Sequence, residues 1–192
     1  MGAAPQLHSS RLILRAPSPA LAATVIDYQL RNTEHFAPWD PTYPSGHFDR
    51  PQVVERLIQG EQAFMAGSAF RYWLALSEAP ARVIGQVHVS QVSRGAFQSA
   101  VLGYSLDALQ QGRGLMQEAL QALVAEMFGA RVRLHRVQAA VRPENARSRN
   151  VLLRVGFERE GLSRRYLHIN GAWRDHEVFA RINPDWPQDL TP

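Results

Sequence analysis

Hydrophobic positions recur at helical spacing in several stretches of the chain. The clearest pattern begins after Gly114 and ends near Gly129, with apolar residues three to four positions apart. Three other stretches carry both a helix start signal and apolar residues on one face. They open at Ser18–Pro19, at Asp49–Pro51 and at Pro143–Asn145. The pattern therefore predicts four helices.

Between these helices, apolar and aromatic residues alternate or run continuously, which predicts strands. The predicted strands are Leu12–Arg15, Phe70–Leu76, Val83–Ser90, Val101–Leu106, Arg136–Val141 and a hairpin from Phe157 to Ile182 that turns at Asn170–Gly171. The order β-α-α-β-β-β-α-β-α-β-β predicts one α+β domain around a mixed sheet. We place this domain at residues 10–182, after a flexible N-terminus (1–9) and before a proline-rich tail (183–192).

Composition excludes several kinds of chemistry. The chain has 192 residues and no cysteine, which excludes disulfides and thiolate nucleophiles. All 21 basic residues are arginine, so no lysine can form a Schiff base. No apolar run reaches the length of about 18 residues typical of a membrane span, and the N-terminus does not resemble a secretory signal. A cytoplasmic location is therefore the default expectation.

The most informative stretch is Gln111-Gly112-Arg113-Gly114-Leu115-Met116, a glycine turn between a predicted strand and a predicted helix. Such a turn exposes backbone N–H groups at the positive end of the helix dipole, which suits a phosphate or diphosphate. The stretch lacks the Gly-Lys-Ser/Thr of a P-loop and the third glycine of a dinucleotide fingerprint. A second helix start, Asn145-Ala146-Arg147-Ser148, would face the same cleft if its preceding strand lies beside Val101–Leu106.

Together these motifs resemble the GNAT N-acetyltransferases, and more closely the RimJ/RimL-type enzymes that acetylate ribosomal-protein N-termini at alanine or serine. The resemblance extends over roughly residues 10–182, and its supporting stretches include Arg11–Arg15, Glu34–Trp39, Leu102–Asp107, Gln111–Ala119, Pro143–Ser148 and Tyr166–His176. It implies a mostly antiparallel sheet of about seven strands and about four helices, splayed between the fourth and fifth strands. It also implies acetyl-CoA as co-substrate and no metal.

The resemblance assigns the cofactor site as follows. The diphosphate would bind the amides of Gln111, Gly112, Arg113, Gly114, Leu115 and Met116. The pantetheine arm would pair with Tyr104, Ser105 and Leu106, and Asn145 and Ser148 would contact the arm or the thiol.

The catalytic residues are less well defined by sequence. Many family members carry a tyrosine seven residues after the asparagine, and this chain has Leu152 there. Ser148 is therefore our candidate for protonating the departing thiolate, with Tyr166 as a weaker one. A general base could come from Glu34 or from one of three histidines, His88, His168 and His176. Phe36, Trp39 and Tyr43 would form an acceptor-binding wall in a proline-rich loop.

The resemblance implies acetyl transfer to the N-terminal α-amine of a protein such as a ribosomal protein. The absence of cysteine excludes a thioester intermediate on the enzyme and so predicts direct attack in a ternary complex. Two alternatives remain open at this stage: an enzyme for small amines such as polyamines, amino acids or antibiotics, and a non-catalytic acyl-CoA-binding or RNA-binding module. An acidic cluster for polyamines and a motif for direct nucleic-acid binding are not evident, although ten arginines lie between Arg131 and Arg165. The protein is expected to be a monomer or a homodimer, with no membrane partner.

Overall fold

The computed structural model describes residues 5–187 as a sheet with helices on both faces. The helices are α1 (Ala22–Arg31), α2 (Thr33–Phe36), α3 (Arg50–Met65), α4 (Leu115–Phe128) and α5 (Ala146–Arg154). The strands are β1 (Gln6–His8), β2 (Leu12–Arg15), β3 (Phe70–Leu76), β4 (Gly85–Ser93), β5 (Ser99–Leu106), β6 (Arg136–Val141), β7 (Glu158–Ile169) and β8 (Ala172–Ile182). Short 3-10 turns at Pro19–Leu21 and Ala108–Gln110 precede α1 and the glycine turn.

The sheet has the order β1-β2-β3-β4-β5-β6-β8-β7, and β5–β6 is its parallel pair among otherwise antiparallel neighbours. The predicted α+β class, with a mixed and mostly antiparallel sheet, is confirmed. The structure has eight strands and five helices in the described chain, where the sequence predicted about seven and about four. The additional elements are β1 and the single-turn helix α2.

The predicted splay lies between β5 and β6, the fourth and fifth of the strands predicted from sequence. These two strands pair only from Ser99–Arg136 to Leu102–Ala139. Beyond Leu102, β5 continues to pair with β4 but leaves β6. The second half of β5 therefore has one free edge in the middle of the sheet.

Each face of the sheet carries its own apolar core. On one face, β2–β6 and β8 pack against α4 and α5 around residues such as Leu74, Leu102, Leu120 and Phe179. On the other, Trp73 and Val83 pack against α1 and α3. We call these the α4–α5 face and the α1–α3 face. Since side chains alternate along a strand, each sheet residue can be assigned to one face.

The N-terminus departs from the predicted flexible segment. Gln6–His8 pairs with Ile13–Arg15 to form the outer hairpin β1–β2. The turn is closed by polar residues, and the Ser9 backbone N–H donates to Leu12 O at 3.0 Å. No hydrophobic alternation marks this short edge strand, which is why the pattern missed it. Residues 1–4 of the predicted flexible segment lie outside the described residues.

The chain beyond β8 has no helix or strand in its described part, residues 183–187. Asn183 is nevertheless buried, and its backbone N–H donates to His135 O at 2.8 Å. Residues 188–192 of the predicted tail lie outside the described residues. In the described chain, no helix is both long enough and apolar enough to span a membrane.

Candidate active site

The glycine turn forms the first wall of the candidate site. Gly112 and Gly114 both have φ near 74°, a left-handed conformation that glycine adopts without strain. Gly114 is the N-cap residue of α4. The backbone N–H groups of residues 112–117 donate to no protein acceptor within residues 5–187. The side chains of Leu115 and Met116 are buried in the core, so these two residues offer only their N–H groups to a ligand.

This turn is held in place by the N-terminal hairpin. The Arg11 guanidinium donates from Nη1 to the carbonyl oxygen of Arg113 at 3.0 Å. Arg11 is in turn bound by Glu118, in the first turn of α4, at 2.7 Å. Fixing the Arg113 carbonyl also fixes the orientation of the peptide that carries the Gly114 N–H.

The start of α5 forms the second wall. Asn145 caps the helix, accepting a hydrogen bond from the Ser148 backbone N–H at 3.1 Å. The Ser148 hydroxyl lies 2.6 Å from the Tyr104 hydroxyl, which also reaches the Ser148 carbonyl oxygen at 3.0 Å. Burial raises the pKa of Tyr104, opposed in part by the hydrogen bond with Ser148. The phenol therefore stays protonated and can exchange a proton with Ser148.

Between the two walls lies the free edge of β5. The Asp107 N–H donates back to Ile84 O, just before β4, at 2.8 Å. Because backbone groups alternate in direction along a strand, the N–H and C=O groups of Tyr104 and Leu106 point the other way, into the splay. These groups can pair with an extended ligand, and an N–H here can polarise a carbonyl.

Hydrogen bonds also fasten the glycine turn to α2 and α5. Gln111 Nε2 lies 2.8 Å from His35 Nε2, and the Gln111 side-chain oxygen accepts from Arg147. Gln111 thus connects the two walls through its side chain, in addition to any contact through its amide.

On the α1–α3 face, Ser105 joins a buried polar network. Its hydroxyl lies 2.9 Å from the Tyr28 hydroxyl and 3.2 Å from Gln86 Nε2. Burial strongly raises the pKa of Tyr28, so this phenol also stays neutral. The Ser105 side chain therefore faces away from the α4–α5 face, although its backbone belongs to the splayed strand.

The three predicted acceptor-wall residues lie on or beside this second face, at different depths. Phe36 packs on Tyr28 with ring centroids 5.5 Å apart, within the α1–α3 core. Trp39 stacks under the Arg142 guanidinium, 5.4 Å from its ring centre. Tyr43 is 44% exposed and donates to Asp40 at 2.9 Å. Phe36 is thus largely a core residue, whereas Trp39 and Tyr43 line the loop itself.

His176 lies on β8 beside the splay, where the pairing with β6 ends. It directly precedes Glu177, whose pair with Val141 is the last between β6 and β8, and alternation from the core residue Phe179 puts it on the α1–α3 face. It is buried, and its Nδ1 lies 3.0 Å from Arg174 O, which leaves Nε2 as the acceptor in the neutral ring. Burial lowers its pKa, the hydrogen bond to Arg174 raises it, and nearby Arg142 lowers it.

Among residues 5–187, neither Glu34 nor Tyr166 forms a hydrogen bond with Ser148 or Tyr104. Glu34 is exposed on α2 and makes no hydrogen bond within residues 5–187. Tyr166 lies on the outer strand β7, 43% exposed, with its ring 5.9 Å from the His176 ring. No group of three or more metal-ligating side chains occurs in the part of the chain that the structure describes.

Sequence reasoning missed the residues that hold the site together from a distance. Tyr28, Arg71 and Gln86 form polar contacts beneath the splayed strand, and Arg31 pairs with the buried Asp107 at 2.8 Å. The sequence signal for such residues is a polar side chain at a position where the strand or helix pattern predicts an apolar one. Its partner, however, lies far away in sequence and is fixed by strand register.

Known proteins are similar to this chain in both fold and sequence. A family model described as an acetyltransferase (GNAT) domain matches residues 11–158. The chain is 36% identical over 181 residues to the [ribosomal protein uS5]-alanine N-acetyltransferase of Escherichia coli, covering 94% of this chain and 92% of that protein. The solved ribosomal-protein-S5-alanine acetyltransferase of Vibrio fischeri superposes with a TM-score of 0.90 at 34% identity, covering 95% and 99% of the two chains.

A second solved structure bears on the co-substrate. Mycobacterium smegmatis RimJ, in complex with CoA-disulfide, superposes with a TM-score of 0.84 at 32% identity, over 93% of this chain and 85% of that one. Acetyl-CoA, predicted from the sequence, is thereby confirmed as the acetyl donor, and N-acetyl transfer as the reaction class. The chain belongs to the GNAT family of acetyltransferases.

Proposed function

We propose that this protein transfers the acetyl group of acetyl-CoA to the N-terminal α-amine of a protein, and that this acceptor is a ribosomal protein. The observation that carries the proposal is the splay between β5 and β6, which opens to both faces of the sheet. A diphosphate-binding turn lies on one face and an aromatic loop on the other. The proposal keeps the expectations of a cytoplasmic location and of a monomer or homodimer.

The residues of this chain fit the donor. Six consecutive unpaired N–H groups, in residues 112–117, lie at the start of a 14-residue helix and would hold the diphosphate. The splay-facing backbone of Tyr104 and Leu106 would hold the pantetheine arm as an added strand. Acetyl-CoA supplies an activated acyl group, and the chain must orient it, accept the amine proton and stabilise the departing thiolate.

Ser148 and Tyr104 support the leaving-group role. Their hydroxyls form a 2.6 Å hydrogen bond on the α4–α5 face, beside the free edge of β5. In one concerted relay, the thiolate would take the Ser148 hydroxyl proton, Ser148 would take the Tyr104 hydroxyl proton, and Tyr104 would regain a proton from water as CoA leaves. A neutral tyrosine behind the serine provides the function that the sequence lacks at Leu152, which is fully buried in the core.

His176 is our candidate for receiving the amine proton, directly or through water. Its lowered pKa keeps Nε2 unprotonated at neutral pH, on the acceptor face of the splay. An α-amine has a pKa near 8 and is about one-tenth neutral at pH 7, whereas a lysine amine near 10.4 is neutral in only a few molecules per ten thousand. A weakly basic histidine therefore suits an α-amine better than a lysine side chain. Tyr166, packed on His176, would help to position it, and Glu34 remains a candidate from the α2 side.

A peptide panel tests this proposal. Matched peptides would carry a free N-terminal alanine or serine, or a blocked terminus with one internal lysine, beside a small-amine set containing spermidine and free amino acids. We expect acetyl-CoA-dependent mass gain on the free-terminus peptides, at rates well above those of the other substrates. Transfer only to small amines or only to lysine would refute the proposal, as would CoA binding without any transfer.

A further inference from the structure

Three residues of neighbouring strands line up across the α1–α3 face behind the splay. Arg71 on β3 pairs with His88 on β4, which pairs with Gly103 on β5. Directly opposite residues share a face, and alternation from Trp73 assigns all three to the α1–α3 face. Because neighbouring strands lie about 4.8 Å apart, the backbone of Arg71 lies roughly 10 Å from the splayed strand β5.

Gly103 lets His88 extend toward the splay. A Cβ atom on Gly103 would lie 2.4 Å from Cε1 of His88, so the imidazole occupies the space of the missing side chain. Its Nδ1 is shielded from solvent and has no hydrogen-bond partner among residues 5–187. Burial, and then the charge of Arg71, lowers the pKa of His88 to about 3, which keeps the ring neutral.

Arg71 carries a positive charge that no described carboxylate neutralises. Its guanidinium contacts the side-chain oxygen of Gln86 and lies 5.7 Å from the Trp73 ring. It forms no ion pair with a carboxylate anywhere in residues 5–187. Burial lowers its pKa, and among its charged neighbours Arg56 lowers it further, while Tyr43 and Tyr28 act in the opposite direction.

Further polar atoms nearby also lack partners. Arg56 Nη2, from α3, and Trp73 Nε1 are both buried, and neither has a hydrogen bond in the part of the chain that the structure describes. Asp40, on the loop above, accepts from Tyr43, and burial raises its pKa; neither arginine pairs with it. Buried polar groups in proteins are nearly always paired, so this concentration of unpaired donors indicates a ligand rich in oxygen acceptors.

We propose that Arg71, Arg56 and His88 form a subsite that binds a carboxylate side chain within the first three residues of the acceptor peptide. The inference rests on the proposed function, because it takes the acceptor to be a peptide whose α-amine lies at the splay. An extended peptide advances about 3.3 Å per residue, so its second or third residue reaches the arginines. Two guanidiniums bind a carboxylate through charge-assisted hydrogen bonds, and the same charges repel polyamines.

The test compares three acceptor peptides that differ at residues two and three only, with Glu, Gln or Lys there and a free N-terminal alanine. We expect wild-type kcat/KM to be about tenfold higher for the Glu peptide than for the Gln peptide, and lowest for the Lys peptide. In Arg71→Met this preference should disappear, and in Arg71→Lys it should be largely retained. Equal kcat/KM for the Glu and Lys peptides in the wild-type protein would overturn the inference, and so would a preference that survives in Arg71→Met.

Controls separate misfolding and failure of the proposed function from failure of the subsite. Arg154→Met removes the same charge from an exposed position at the end of α5 and should leave the preference intact. If Arg71→Met does not fold, Arg56→Met on α3 provides the second variant. We expect it to lose at least part of the preference for the Glu peptide. An unchanged preference in Arg56→Met would refute the subsite. The same assay tests the proposed function separately. If none of the three peptides is acetylated, the proposed function is wrong. If all three are acetylated at equal rates, only the subsite is wrong.

Discussion

Replacing Glu118 by Gln should weaken both the fold and the donor site. The Glu118 carboxylate lies in the first turn of α4 and accepts four close hydrogen bonds from the β1–β2 turn. Their lengths are 2.7 Å from Ser9 Oγ, 3.1 Å from Ser10 Oγ and 2.7 Å from each of the Arg11 N and Nε atoms. Gln retains the shape but loses the charge and one of the two acceptor oxygens.

The size of the effect follows from the pKa of Glu118. Burial alone would raise it, but the hydrogen bonds from Ser9, Arg11 and Ser10 outweigh burial and lower it from 4.5 to about 2. At about 1.4 kcal/mol per pKa unit, the ionised carboxylate contributes about 3 kcal/mol to the free energy of unfolding at pH 7. Because the folded pKa is the lower one, this contribution is complete well above pH 4.5 and is lost as the pH falls toward 2. By linkage, about 1 kcal/mol of it is lost by pH 4 and about 2 kcal/mol by pH 3.

Urea unfolding followed by tryptophan fluorescence measures this directly at pH 7, 5, 4 and 3. The stability difference between wild type and Glu118→Gln should be about 3 kcal/mol at pH 7 and should shrink steadily below pH 5. Glu61→Gln, an exposed carboxylate change on α3, should cost less than about 0.5 kcal/mol at every pH. A difference for Glu118→Gln that stays constant from pH 7 to pH 3 would show that the charge of Glu118 does not stabilise the fold.

Three more predictions concern the site. Ser148→Ala should lower kcat about 100-fold with little change in KM for acetyl-CoA, and unchanged kcat would remove Ser148 from the mechanism. Gly103→Ala should lower the free energy of unfolding in urea by about 1–3 kcal/mol, because the new Cβ would clash with the His88 ring. The double variant with His88→Ala should recover part of that loss, and additive losses would show that no such clash occurs. With kcat/KM expressed per neutral α-amine, His176, whose pKa is lowered, should keep the wild-type value near its plateau down to below pH 6.5, and His176→Asn should abolish the acidic limb. An unchanged pH profile in the variant would exclude His176 as the base.

Local signals in the sequence predicted most of the fold. Phe70–Leu76 and Arg136–Val141 were predicted with the bounds that the structure shows. The Asn170–Gly171 turn does join β7 to β8, with both residues at positive φ. In each case the information lies in neighbouring residues: hydrophobic spacing, an N-cap or a glycine that permits a turn.

Contacts fixed by strand register could not be predicted in the same way. Ser148 and Tyr104 are 44 residues apart, and Arg11 and Glu118 are 107 apart, so nothing local marks either pair. The glycine turn could be predicted because the strand, the two glycines and the helix that form it are adjacent in sequence. The residues of the α1–α3 face beside the splay come from β3, β4, β5, β8 and α3, and their shared location follows only from the order and register of the strands.

The position of the transferred acetyl group distinguishes N-terminal acetylation from lysine acetylation. One peptide with a free N-terminal alanine and an internal lysine would be incubated with the protein and acetyl-CoA, and the product fragmented by tandem mass spectrometry. We predict that the acetyl mass appears on the first N-terminal fragment and that the lysine-containing C-terminal fragments keep their unmodified mass. Acetyl mass on the lysine fragments, with an unmodified N-terminal residue, would contradict the account.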